Sequence, residues 1–243
     1  MDNLQYHRKA AALRADVLTM VTKAGSGHPG GSLSMMDLMV ALYYRQMNID
    51  PKNPMDEERD RFVLSKGHAS PGLYAVLADK GYFDKSKLQN FRQLGSCLQG
   101  HPDKKKVPGV DASTGSLGQG VAIAGGMALG AKLSGRKSKI YAMVGDGELQ
   151  EGLVWEAAMA AAHYKLDNLT VIIDHNGLQI DGRNDEVMSL GSIPNKYRAF
   201  GFEVFEIDGH DFEQIFAALD FVVSDKPKCI VAHTIKGKGI SFM

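Results

Sequence analysis

Apolar residues at Leu4, Ala11, Leu13, Val17, Leu18 and Val21 recur at helical spacing, which predicts a helix over 4–22 that breaks at Gly25. A Met-rich apolar stretch predicts a second helix over 34–46, and Arg61-Phe62-Val63-Leu64 a short strand. Helices are predicted over 72–80 and over 86–94, the latter capped by Ser86. Residues 117–134 are rich in Gly and Ala, which predicts a helix able to approach its neighbours closely and therefore placed in the centre of the fold. Beyond it, strand and helix alternate. Strands are predicted at 140–144, 169–174, 203–207 and 229–235, with helices at 153–164, 194–200 and 212–224 between them. Continuous apolar strands separated by helices imply an α/β fold: one doubly wound, mainly parallel sheet with helices on both faces, in a single domain over 1–243.

Composition narrows the function more by exclusion than by assertion. Lys plus Arg and Asp plus Glu are balanced at 28 each, so there is no general attraction to nucleic acid or acidic membranes. No apolar segment is long enough to span a bilayer, and the first residues lack the apolar core of a signal peptide. Cys97 and Cys229 are too few for a disulfide framework or a zinc site, and a reduced cytoplasmic setting is expected. The basic triplet Lys104-Lys105-Lys106 lies among Pro and Gly and reads as a solvated loop.

Ligands of doubly wound sheets bind at the carboxyl ends of the strands. Two consecutive strand ends carry oxygen donors: Gly145-Asp146-Gly147 after one, Asp174-His175-Asn176-Gly177 after the next. Either motif alone also reads as a turn. Together, a carboxylate and an amide oxygen are the usual protein share of a Mg²⁺ or Ca²⁺ site, with phosphates and water completing the shell. The helix start that follows can receive phosphate oxygens on its backbone N–H groups. Glu148 and Glu151 suit that positive helix end. Three of the eight histidines sit beside Gly or Pro, in SGHPGG (His28), SKGHA (His68) and GHP (His101), an arrangement that folding alone does not require.

GDG followed thirty residues later by Asn resembles the thiamine diphosphate fingerprint, and GDGELQEG…WEA…HY…LDNL…QIDG is similar to transketolase. The likeness extends in order through SGHPGG, LSKGHAS, GHP and TGSLGQG, covering nearly the whole chain. It implies the diphosphate-binding (PP-type) domain of the thiamine diphosphate-binding fold, with thiamine diphosphate and Mg²⁺ (or Ca²⁺) as cofactors. On this likeness Asp146 and Asn176 bind the metal by side chain and Leu178 by its backbone carbonyl. Gly147 offers its amide to the diphosphate, which His68 also contacts. Gly115 and Leu117 lie against the aminopyrimidine; Ser116 stands where many relatives have proline. His28 and His101 face the substrate, and a neutral imidazole suits hydrogen bonding and proton transfer near pH 7. Glu151, in QEG, corresponds to a residue of a carboxylate cluster that joins two active sites.

In transketolases the glutamate that activates the cofactor's pyrimidine ring belongs to a second domain. A further family histidine would follow the segment His233–Ile240. The likeness therefore implies the N-terminal half of a transketolase, moving a two-carbon ketol unit between sugar phosphates. It is either a natural subunit of a split enzyme, the favoured reading, or a shortened form of a longer chain. Its partner is a subunit carrying the pyrimidine-binding domain, in a heterotetramer built around two copies of this subunit, with that interface expected on the helix from Leu117 and around 151–155. Two alternatives accompany this expectation: specialisation for a sulfonated or branched sugar phosphate, and a non-catalytic cofactor-binding module. His7, His163, His175, His210 and His233 receive no role.

Overall fold

A computed structural model describes residues 1–180 and 182–243. Strands β1 (Arg61–Leu64), β2 (Ile140–Gly145), β3 (Leu169–His175), β6 (Glu203–Asp208) and β7 (Lys228–His233) pair in parallel in the order β1-β2-β3-β7-β6. A two-stranded ribbon, β4 (Leu178–Gln179) with β5 (Gly182–Arg183), projects beyond β3. Because all five main strands run the same way, their carboxyl ends form one rim. Among the described residues no helix is long and apolar enough to cross a membrane.

Alternate side chains of each strand enter two separate cores, as strand pleating requires. Tyr141 and Met143 of β2 join α1 (Asn3–Ala24), α3 (Met36–Ala41), α4 (Ser70–Lys80) and α9 (Phe212–Asp220) on one face. Ala142 and Val144 join α5 (Gln119–Leu133), α6 (Gly152–His163) and α8 (Ile193–Ala199) on the other. The sheet is doubly wound, as the pattern of apolar strands and intervening helices implies.

Several local expectations give way to specific interactions. The helix expected over 34–46 is broken: α2 (Pro29–Ser34) starts at the proline, Met35 interrupts, α3 follows, and Leu42–Gln46 widens into a π turn. The segment 86–94 is a 3₁₀ turn over Lys85–Asn90, capped by Asp84, whose carboxylate accepts from the Ser86 amide at 2.8 Å. Ser86 is not the cap. α5 is a surface helix rather than a central one. Gly120, Val121, Ala124, Ala128 and Ala131 are buried, whereas open space lies in front of Gly125, Gly126 and Gly130.

α9 ends at Asp220, short of the expected 224. The buried Lys228 ammonium donates to the carbonyls of Ala218, Leu219 and Phe221 at 2.9, 3.0 and 2.6 Å, satisfying groups that a helix end leaves free. Lys228→Met is expected to leave these carbonyls unpaired and to lower stability by about 1–3 kcal/mol, read as a fall in the urea midpoint.

Candidate active site

Four of the strand ends converge on one region of the rim. From β2, Asp146 turns its carboxylate inward, 2% exposed. Its Oδ1 accepts from the Gly147 amide at 2.8 Å and its Oδ2 from the Gly177 amide at 2.5 Å, so the loops after β2 and β3 are tied together. The Gly147 amide is therefore engaged by Asp146. Among the described residues no lysine or arginine is paired with this carboxylate; burial raises its pKa, partly offset by the Gly177 amide and by His175, whose Nδ1 lies 3.5 Å from Oδ2. His175 Nδ1 and both side-chain polar atoms of the buried Asn184 have no hydrogen-bond partner among the described residues. Asn176 forms a turn, its Oδ1 accepting from the Leu178 amide at 3.2 Å, while its Nδ2 donates to Asp174 Oδ2 at 3.3 Å. The Leu178 carbonyl lies 3.5 Å from the Lys236 ammonium.

These observations fit a bound cation. A desolvated carboxylate without a cationic partner, an amide oxygen and a carbonyl already facing an ammonium are a hard-oxygen donor set of the kind Mg²⁺ or Ca²⁺ takes. Among the described residues no group of three His, Cys, Asp or Glu side chains is placed to hold a metal. A cation here would rely on amide and carbonyl oxygens beside Asp146.

The histidine loops meet next to this region. The His28 and His68 rings lie edge to face with centroids 5.4 Å apart. His101 packs on Gly115, where a Cβ would come within 3.2 Å of its ring. Gly67 lets the His68 loop touch the Thr114–Gly115 backbone, since a Cβ there would fall 2.8 Å from the Gly115 nitrogen. Burial, then the nearby Lys66, His28, His101 and Lys236, bring His68 down to about 3. Burial, then Arg92, His101 and Lys236, also lower His28. Both rings are neutral at pH 7, able to accept or donate hydrogen bonds without carrying charge. A cleft of about 920 Å³ opens beside His101, with Ser26, Arg92 and Lys106 in its lining. Leu117 is half-buried and Ser116 exposed on the loop that follows Gly115.

The two glutamates of GDGELQEG separate. Glu148 is 3% exposed and braces three segments: it accepts from Ser65 Oγ at 2.5 Å, the Gly118 amide at 2.8 Å and the Gly145 amide at 3.1 Å. This replaces its expected part in the helix electrostatics. Glu151 sits at the start of α6, exposed, with no side-chain cap bond.

A second buried cluster had no signal in the sequence. Asp174, fully buried, accepts from Lys66 Nζ, from Ser34 Oγ at 2.6 Å and from Thr234 Oγ1 at 2.5 Å. It thus joins the His28, His68 and Asn176 loops to the segment after β7. Although burial opposes it, Lys66 and these hydroxyls hold the Asp174 carboxyl below its usual range. Lys66→Met would strand a buried carboxylate, a loss of about 3–5 kcal/mol. Lys66→Met with Asp174→Asn should recover much of it, measured as the coupling in a double-mutant cycle.

A parallel sheet with this rim defines the class: a thiamine diphosphate-binding α/β domain. Residues 6–242 match the family described as transketolase, thiamine diphosphate binding domain. The chain belongs to the transketolase family, is its N-terminal half, and is part of a transferase. It is 45% identical over 241 residues to the 6-deoxy-6-sulfo-D-fructose transketolase subunit of Clostridium sp. (strain MSTE9), covering 98% of this chain and 88% of the relative. It is 42% identical to an apulose-4-phosphate transketolase subunit of Actinobacillus succinogenes, covering 99% and 89%. The crystal structure of transketolase from Campylobacter jejuni subsp. jejuni superposes with a TM-score of 0.94 at 41% identity, covering 99% of this chain and 39% of that one.

Proposed function

We propose that the rim holds thiamine diphosphate through a Mg²⁺ (or Ca²⁺) ion bound by the Asp146 and Asn176 side chains and the Leu178 carbonyl. The pairing of Asp146 with the Gly177 amide carries this reading, because it brings the donors of two strand ends into one loop cluster. Thiamine diphosphate, when bound, supplies the carbon nucleophile that accepts the two-carbon ketol unit. His68 and the Gly147 amide, released from Asp146, meet the diphosphate, and Gly115 and Leu117 meet the aminopyrimidine. His101 lines the cleft that contains Arg92 and Lys106, so an imidazole stands beside cations suited to an anionic sugar phosphate, and His28, packed against His68, is proposed to face the same substrate.

The chain is proposed to work with a partner that carries the pyrimidine-binding domain, in a cytoplasmic heterotetramer. The heterotetramer is built around two copies of this chain, and the uncovered small-residue face of α5 and the exposed Glu151 are the proposed contacts there; Met159 on α6 is 60% exposed. That similarly sized relatives are named as transketolase subunits supports the split arrangement. Their names also support the second reading, a donor that is a sulfonated or branched sugar. A coupled assay with the chain and its partner, run on xylulose 5-phosphate, 6-deoxy-6-sulfo-D-fructose and apulose 4-phosphate, tests both. A preference of about 100-fold for one donor identifies the substrate. Absence of ketol transfer to any aldose acceptor would overturn the transketolase reading.

A further inference from the structure

His210 lies on the loop after β6, one-tenth exposed, and belongs to none of the loops assigned above. Its Nδ1 is 2.7 Å from Asp37 Oδ2 on α3. Asp37 is also gripped by Arg14 of α1, at 3.3 and 2.5 Å. Although burial opposes it, hydrogen bonds from His210 and Arg14 hold the Asp37 carboxyl below its usual range, so it is an acceptor. The hydrogen between Asp37 and His210 is therefore on Nδ1. Nε2 keeps its lone pair, and it accepts from the Ile235 amide at 3.0 Å. The tautomer follows from both neighbours.

Ile235 begins the strap that leaves β7 and crosses the rim. Gly237 donates its amide to the Gly30 carbonyl at 3.1 Å. Between these two anchors the Lys236 stem lies across Gly30, where a Cβ would come within 3.0 Å of Lys236 Cγ, and its ammonium reaches the Leu178 carbonyl. The side chain is long and flexible, so its placement depends on the backbone bonds on either side. One of those bonds ends on an imidazole fixed from behind by Asp37 and Arg14.

We propose that His210 is a positioning residue: through its Nε2 it fixes the Ile235 amide and so sets Lys236 over the cofactor site. The role of that site rests on the reading in the previous subsection; the latch itself is a property of the free chain. The comparison of His210→Asn with His210→Gln isolates it, because the longer amide places Oε1 near the Nε2 position and the shorter one does not. Asp37 retains Arg14 in both, which preserves the fold. Hydrogen exchange on the whole chain should show the amides of residues 235–238 exchanging about tenfold faster in His210→Asn, with β2 and β3 unchanged, and near wild-type rates in His210→Gln. Calorimetry with thiamine diphosphate and Mg²⁺ should show about tenfold weaker binding in His210→Asn, with Lys236→Ala adding little further loss. Unchanged strap exchange in His210→Asn, or equal effects of the two variants, would overturn the latch. If the wild-type chain fails to bind thiamine diphosphate while the exchange pattern holds, the latch stands and the cofactor reading falls.

Discussion

Asp146→Asn is expected to remove Mg²⁺-dependent thiamine diphosphate binding while leaving the fold intact. The neutral amide keeps an oxygen for the Gly177 amide but turns its NH2 toward the Gly147 amide, and this lost bond is offset by no longer burying a charge. Stability without ligand should therefore change by no more than about 1 kcal/mol. Ligand stabilisation should disappear. Outer partners of metal ligands are worth about 10–100-fold in metal affinity, so loss of a charged inner ligand should cost at least about 100-fold. Thermal unfolding with and without 100-fold excess thiamine diphosphate and Mg²⁺ reads both effects, since ligand at that excess raises wild-type stability by about 2.7 kcal/mol. A variant that still gains this stabilisation would show that Asp146 is a turn residue.

Ketol transfer by the chain alone is expected to be at least about 10²–10⁴-fold below that of its complex with the partner, the range that a positioned proton-transfer group contributes. On the proposed reading, the rim supplies only the diphosphate end of the cofactor site: Asp146, Asn176 and three histidines. Two buried carboxylates near it are occupied, Glu148 by Ser65 and two amides, Asp174 by Lys66 and two hydroxyls, while the exposed Glu151 is assigned to the subunit contact. Neither is free to meet a pyrimidine ring. Titrating the partner into a fixed amount of this chain should raise the rate to a plateau at equimolar subunits. Full turnover by the purified chain would contradict the split arrangement.

The strands and the site loops were legible because their signals are local. Apolar runs bounded by Gly and charged residues marked β2 and β3 nearly to the residue, and GDG at a strand end marked Asp146. The missed features depend on partners far away in sequence. Lys66 meets Asp174 across 108 residues and His210 meets Asp37 across 173, and neither periodicity nor spacing encodes such pairs. Glu148 looked like a first-turn acid because its real partners, Ser65 and Gly118, arrive from other elements. Placing α5 in the centre failed for a different reason. Small residues signal close approach, and on this helix one small-residue face meets the sheet while the other is left uncovered.

The central claim is that the ends of β2 and β3 form a metal–diphosphate site. Crystals grown with thiamine diphosphate and Mn²⁺ in place of Mg²⁺ test it by anomalous scattering. A single strong peak bounded by the Asp146 and Asn176 side-chain oxygens and the Leu178 carbonyl, with diphosphate density beside His68, is the result expected. Diphosphate density at another part of the rim, or a peak that avoids Asp146, would contradict it.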